Sequence, residues 1–225
     1  MKKLPLILFT FITLNCPAQD WIKHQFDENL TVEVPANFEV LDTLGQHFVR
    51  VIMDNANILV QRQSNTGMNG SSIRSKQELI KSYEEVGKGF ADSYSAQVLK
   101  QMNHDVNGIV TSEFTFRTYA RGEQELIHLT LVFLNDNWYT IQLWEPEPEG
   151  LEDVNEAVVE KLFSSIKFPA DAVEENQFSD SGSPGYKMGY AFGRVIGFLL
   201  IVLIFGVIMY VIFGRRKKKK DEGLA

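Results

Sequence analysis

Cysteine is almost absent from the sequence, since the only one in 225 residues is Cys16. A single thiol excludes a disulfide framework and a cysteine zinc site. Basic charge is also scarce in the middle of the chain, where residues 19–187 carry 27 acidic and 13 basic side chains. Because the phosphates of nucleic acids require a basic face, this balance argues against nucleic acid as a partner.

Motifs of the common catalytic and metal sites are also missing. The four histidines are His24, His47, His104 and His128. No two of them have the spacing of a helical zinc site, and no HExxH or Gly-x-Ser-x-Gly segment occurs. The loop Gly67–Gly70 lacks the lysine and the spacing of a phosphate-binding loop. We therefore expect no catalytic residue, no metal ligand and no cofactor, and we interpret His128 as a sheet histidine with satisfied hydrogen bonds.

The N-terminus has the three parts of a secretory signal peptide. Lys2 and Lys3 form a positive segment, and Leu4–Leu14 is an apolar run too short to span a bilayer. Cleavage after Ala18 would place small residues at the −3 and −1 positions. The alternative is lipidation of Cys16, but the preceding Asn15 fits a lipoprotein signal poorly.

A long hydrophobic run lies near the C-terminus. Val195–Phe213 contains 19 residues without a charge, about the length needed to cross the hydrocarbon core. A buried core helix is the alternative, but nothing that follows could cover it. The basic run is Arg215, Arg216, Lys217, Lys218, Lys219 and Lys220. By the positive-inside rule, it predicts a cytoplasmic tail and an N-terminal domain outside the membrane, and lipid or partner binding is a second possible role.

Glycine recurs at every fourth position before and into this run, at Gly185, Gly189, Gly193 and Gly197. This Gly-xxx-Gly spacing is typical of membrane helices that pack closely. It predicts helix–helix contact, including a homo-oligomer through the transmembrane helix. Chance recurrence is the alternative, because glycine is common in membrane helices.

The central part of the chain predicts strands around one long helix. Three strands are predicted before the helix, at Leu30–Val34, His47–Met53 and Ile58–Gln63. Apolar residues at three- and four-residue spacing then predict a helix over 79–94, with Ser75 as its N-cap. Four more strand candidates are Ala96–Met102, Ile109–Tyr119, Glu125–Leu134 and Trp138–Trp144. They form a predicted antiparallel meander with apolar residues on both faces. His104 and Asp105 are expected in a solvated turn.

A second helix is predicted over Leu151–Ile166, and it ends before Pro169. The preceding segment Glu145–Asp153 is acidic, which suits the dipole at the start of that helix. Binding of a cation or of a basic partner is the alternative role of these acids. The sequence thus divides into a signal peptide (1–18), an extracytoplasmic domain (19–169), a flexible linker (170–184), a transmembrane helix with its juxtamembrane turn (185–214) and a basic tail (215–225).

Several segments of the domain resemble the PsbP-like fold family. They are Leu30–Val34 followed by Pro35-Ala36-Asn37-Phe38, the strand opened by Gly108 with Phe114 and Phe116, Trp138–Ile141, and Leu162–Phe168. This group includes the photosystem extrinsic protein P, a small eukaryotic Ran-binding protein and bacterial secreted domains. The resemblance implies an α+β fold with a central antiparallel sheet and helices on both faces. It also implies protein binding without a shared catalytic site, so no functional residue is transferred.

Together these features predict a single-pass protein of a bacterial inner membrane. Its outer domain would be a non-catalytic binding or scaffold domain that docks another envelope protein. The main alternative is a sensor or accessory subunit that couples binding outside to the helix and tail. An enzyme with a site built from scattered histidines and carboxylates is a third hypothesis, which a concave pocket with converging titratable groups would favour.

Overall fold

A seven-stranded antiparallel sheet is the centre of an α+β fold. The computed structural model describes residues 20–43, 46–65, 71–120, 122–147 and 156–183. In chain order the elements are β1 (Trp21–Gln25), β2 (Thr31–Pro35), β3 (Glu39–Thr43), β4 (Gln46–Ile52), β5 (Asn57–Ser64), β6 (Ser71–Ile73), α1 (Lys76–Tyr94), β7 (Gln97–Val106), β8 (Ile109–Ala120), β9 (Glu123–Leu134), β10 (Asn137–Pro146), α2 (Glu156–Ser164), a short 3-10 helix (Glu174–Gln177) and β11 (Ser179–Ser183). The large sheet has the strand order β3-β4-β5-β10-β9-β8-β7, and the pairs β1–β2 and β6–β11 form two small sheets. The predicted strands before and after the long helix are confirmed, whereas β1, β3, β6 and β11 were missed.

Two tight turns set the register of the meander. Asn107 and Gly108 have φ angles of 55° and 86°, and Asn135 and Asp136 have φ angles of 48° and 57°. Two successive positive φ values are typical of hairpin turns that match the twist of the strands. The first turn lies three residues beyond the predicted one, because β7 continues through Val106. His104 is therefore a strand residue, not a turn residue.

Side chains alternate between the two faces of the sheet and form a separate core on each. In β10, Tyr139, Ile141 and Leu143 belong to the core on the side of α2, which we call the α2-side core. Trp138, on the other face, belongs to the core beneath α1, which we call the α1-side core. The prediction that both faces are covered is thus confirmed.

Helix α1 begins as the sequence predicts. The hydroxyl of Ser75 accepts a hydrogen bond from the backbone N–H of Glu78 at 3.3 Å, which satisfies one of the free donors of the first turn. Leu79, Tyr83 and Phe90 are buried along one face of the helix. Gly87 lies directly against the ring of Phe114, where a larger residue would not fit.

The predicted flexible linker is wrong for the residues that the structure describes. Between 170 and 183 the chain forms the 3-10 helix and β11, which pairs antiparallel with β6. Gln177 is completely buried and bonds the backbones of Val110 and Phe133. Since buried backbone groups need partners, these contacts attach the segment to the sheet. The folded domain therefore extends to residue 183 and does not end at 169.

Several predicted elements lie outside the described residues. They are the signal peptide, the start of the second predicted helix at 151–155, and the segment from 184 to the C-terminus. In the part of the chain that the structure describes, no helix is long and apolar enough to cross a membrane.

Candidate functional site

A cleft of about 200 Å³ lies between α2 and the strands β7–β9. We call it the α2 cleft. Its lining residues are Lys100, Glu113, Phe114, Thr115, His128, Leu129, Thr130, Val159 and Phe163. The strands thus supply most of the charged and polar groups, while α2 supplies two apolar side chains.

Strand pairing brings the polar residues of the cleft together. Thr115 of β8 lies opposite His128 of β9, and Glu113 lies opposite Thr130. Because residues two apart on a strand share a face, these four side chains project from one side of the sheet. That side is the one covered by the α2-side core, so the polar group forms a continuation of that core toward the edge of the sheet.

A buried histidine–carboxylate pair lies beside the cleft. The Nε2 atom of His128 lies 2.9 Å from Oε1 of Glu145, and the side chain of Glu145 is only 1% exposed. A buried carboxylate is costly unless it is paired or hydrogen-bonded, and His128 supplies that partner. The prediction that His128 is a satisfied sheet histidine is confirmed by this contact.

Two further contacts between basic and acidic side chains border the cleft. Nε2 of His104 on β7 lies 3.0 Å from Oε2 of Glu113, and both side chains are partly exposed. Arg117 donates through Nε to both carboxylate oxygens of Glu147, at 2.9 and 2.7 Å. The acids Glu145 and Glu147, which the sequence placed in a possible cation-binding cluster, are therefore engaged with His128 and Arg117. The rest of that cluster, from 148 to 153, lies outside the described residues.

Two buried oxygen atoms in this region lack an internal hydrogen-bond partner among the described residues. They are Oγ1 of Thr130, which lines the cleft, and Oε2 of Glu145. Buried polar atoms are usually bonded, and unpaired ones require an explanation. A polar group entering the cleft is the kind of partner that Thr130 lacks.

The cleft meets the condition that we set for the enzyme hypothesis, because it is concave and titratable groups converge on it. The contacts needed for nucleophilic catalysis are nevertheless not formed among the described residues, since His128 bonds to Glu145 and to no hydroxyl. In the same residues, no group of three or more His, Cys, Asp or Glu side chains is arranged to hold a metal ion. What the arrangement offers is a mixed recess, with one carboxylate, one lysine, apolar surface and the unpaired hydroxyl of Thr130.

The other two histidines lie away from the cleft. The ring of His24 packs against Phe38 with centroids 4.6 Å apart, and Nδ1 of His47 lies 2.6 Å from the carboxylate of Asp42. Burial, and secondarily the nearby ring of His47, lowers the pKa of His24. Both histidines therefore have structural contacts near the β3–β4 end of the strand order, away from β7–β9.

The predicted membrane-contact and topology residues all follow residue 183, the last one that the structure describes. The glycine ridge (Gly185, Gly189, Gly193, Gly197) and the basic run (215–220) lie outside the described residues.

The cleft itself was missed by the sequence analysis. Its only local signal is the alternation of polar residues in two neighbouring strands, Glu113-Thr115-Arg117 and His128-Thr130.

Comparison with known proteins identifies no family. No family model and no curated protein matches the chain. Among solved structures, the Saccharomyces cerevisiae Ran-binding protein Mog1p has 11% sequence identity and a TM-score of 0.39, covering 72% of this chain and 100% of Mog1p. The immunity protein TplEi of the Pseudomonas aeruginosa T6SS has 14% identity and a TM-score of 0.35, covering 64% of this chain and 47% of TplEi. A Pseudomonas aeruginosa protein of unknown function, PA94, has 8% identity and a TM-score of 0.34, covering 56% of this chain and 82% of PA94. Similarity at this level assigns no function, and the resemblance to the PsbP-like family stays a prediction.

Proposed function

We propose that the protein is a single-pass, membrane-anchored binding protein whose extracytoplasmic domain docks another envelope protein without catalysis. In this proposal the α2 cleft receives one side chain of the partner. The proposal includes the PsbP-like α/β/α arrangement and the transmembrane helix that the sequence predicts.

The size of the cleft is the observation that carries the proposal. Pockets for small molecules and cofactors have volumes of about 300–1,000 Å³. A cleft of about 200 Å³ is smaller than these and suits a single side chain. Docking of a partner residue therefore agrees better with the geometry than binding of a cofactor or a small-molecule substrate.

The cleft offers a basic side chain one carboxylate, that of Glu113, beside the Lys100 that also lines it. Glu113 is partly exposed at the rim, while Val159 and Phe163 provide apolar surface beside it. Lysine and arginine bury an apolar stem and keep a charged head near acidic or solvated groups. The acidic balance of residues 19–187 would also attract a basic partner over longer distances.

A photo-crosslinking experiment tests the docking site. A photoreactive residue replacing Thr115 in the full chain should form a discrete cross-linked product in intact membranes. Glu113→Gln should weaken that product several-fold, because it removes the charge at the rim. Glu84→Gln is the matched control, since Glu84 is exposed on α1, on the other face of the sheet. Equal products in the two variants would contradict docking in the cleft.

The membrane part of the proposal has its own test. The signal peptide and the basic run predict a domain outside and a tail inside. Protease added to spheroplasts should remove residues 19–187 and spare a tag placed after Ala225. A protected domain together with a digested tail would show the opposite orientation.

One observation favours the alternative of a sensor or accessory subunit. The last described strand, β11, is bonded to β6, and the preceding Gln177 is bonded within the core. The domain is thus attached to the segment before the predicted membrane helix by ordered contacts. A change within the domain could be passed along this connection, and helix cross-linking with and without partner would separate the two functions.

A further inference from the structure

The outer edge of the large sheet is formed by a long and exposed strand. β7 has ten residues, and among the described residues it pairs only with β8. Val98, Leu99 and Met102 are each 40% or more exposed along it. Native proteins usually protect such edges with charges or bulges, and β7 has Lys100 and a register irregularity between Val98 and Lys100. From Lys100 to Val106 its pairing with β8 is regular, and this stretch is a template for another strand.

We propose that β7 pairs antiparallel with β7 of a second copy, around a two-fold axis at Met102. The large sheets of the two copies then form one continuous sheet. A two-fold axis between antiparallel strands is perpendicular to the sheet, so residues that meet across it come from the same face. Met102 then lies opposite Met102 of the second copy, and Gln101 lies opposite Asn103 of the second copy.

A carboxylate of the second copy lies close to Lys100 in this register. Lys100 lies opposite His104 of the second copy, whose ring is already in contact with Glu113 at 3.0 Å. The lysine of each copy thus approaches a carboxylate of the other, and this happens twice because of the symmetry. Gln101 and Asn103 can exchange amide hydrogen bonds, and the exposed methionines bury each other at the axis.

The position of the C-terminal segment favours a second copy as the occupant. β6 and the residues before β11 pack into the α1-side core, so the chain leaves the domain on the α1 face of the sheet. A perpendicular two-fold axis keeps both α1 faces on the same side. Both predicted membrane helices can then enter one membrane, and anchoring raises the effective concentration of the two edges.

Pairing also alters the α2 cleft. Lys100 and Glu113 line the cleft next to the edge strand, on the face opposite the chain exit. In the pair, the two clefts lie side by side, and each receives a lysine of the other copy near its rim. The inference rests on the membrane anchor of the proposed function but not on docking in the cleft, so the cross-linking and topology experiments can fail independently.

Cysteine cross-linking of the full chain in native membranes tests the proposal. The described residues contain no cysteine, so Met102→Cys adds a single thiol to the domain. Directly opposite residues of antiparallel strands have Cα atoms about 4.5–5.5 Å apart, within the range that a disulfide bridges. Mild oxidation should convert most of the variant into a disulfide-linked dimer of the chain.

Two controls make the experiment decisive. Glu84→Cys, on the exposed side of α1, and the parent chain with Cys16 should remain monomeric under the same oxidation. Lys100→Cys and His104→Cys should cross-link when the two variants are co-expressed and not when either is expressed alone. Absence of the Met102→Cys dimer in a folded variant, or equal dimer from Glu84→Cys, would overturn the proposal. A cross-link from Met102→Cys to a different protein would likewise overturn it in favour of another occupant.

Discussion

Replacing Gln177 by leucine tests whether the last part of the domain is structural. Nε2 of Gln177 donates to the carbonyls of Val110 and Phe133 at 2.8 and 2.9 Å, and Oε1 accepts from the N–H of Val110 at 2.8 Å. Leucine has a similar size but cannot make these bonds. Since the site is fully buried, we expect the backbone groups that lose their bonds to Gln177 to find no water or other partner in its place.

The expected magnitude follows from the groups left unpaired. The hydroxyl of Tyr83 still donates to the carbonyl of Val110 at 2.9 Å, so that acceptor keeps a partner. The N–H of Val110 and the carbonyl of Phe133 lose theirs. An unsatisfied buried donor or acceptor costs about 1–3 kcal/mol, so two of them should lower the free energy of unfolding by about 2–6 kcal/mol.

Urea unfolding of the detergent-solubilised full chain measures this loss through tryptophan fluorescence. Trp138 is buried and lies 5.7 Å from the ring of Tyr83, so it reports on this part of the core. The midpoint should fall while the slope stays constant. Val173→Ala, an exposed position just before the 3-10 helix, is the control and should change little. If Gln177→Leu were as stable as this control, the segment would be the flexible linker that its composition suggests.

Three further substitutions have defined outcomes. Gly87→Ala should destabilise the domain by about 1–3 kcal/mol through overpacking against Phe114, and an unchanged melting temperature would contradict that close contact. Ser75→Ala removes the N-cap of α1 and should cost about 1 kcal/mol in urea unfolding, whereas an effect near zero would mean that the cap is replaced by water. Burial, and then His47, lower the pKa of His24 in the folded state. Between the usual histidine pKa of about 6.5 and this lowered pKa, the unfolded chain binds more protons than the folded one, so stability falls as the pH falls. His24→Gln removes this proton uptake and should make the stability less dependent on pH in that window. Parallel stability profiles of variant and parent across that window would refute this assignment.

Local patterns predicted the parts of the fold that local chemistry determines. The residues at 135–136, between two predicted strands, tolerate positive φ and form the hairpin turn there. The asparagine–glycine turn at 107–108 was not predicted, since the turn was expected at His104 and Asp105. The N-cap Ser75 and the apolar stripe after it defined α1. Alternation in β10 correctly placed Tyr139 and Trp138 in different cores.

Non-local contacts account for what the sequence did not predict. Gln177 lies in a polar segment, and only unpaired backbone groups 44 and 67 residues earlier in the chain explain its burial. The α2 cleft depends on the register that sets Thr115 beside His128 and on α2 packing above them. Neither the register nor the position of the helix is encoded by the composition of a single segment.

The contacts of Gln177 have a consequence for the order of biosynthesis. Val110 and Phe133 leave the ribosome well before Gln177, so the sheet can form while these backbone groups still bond to water. The interior is completed only when the final stretch of the domain has been synthesised. The apolar run at 195–213 follows soon afterwards. Closure of the domain and synthesis of this predicted membrane helix should therefore occur within the same short interval of translation.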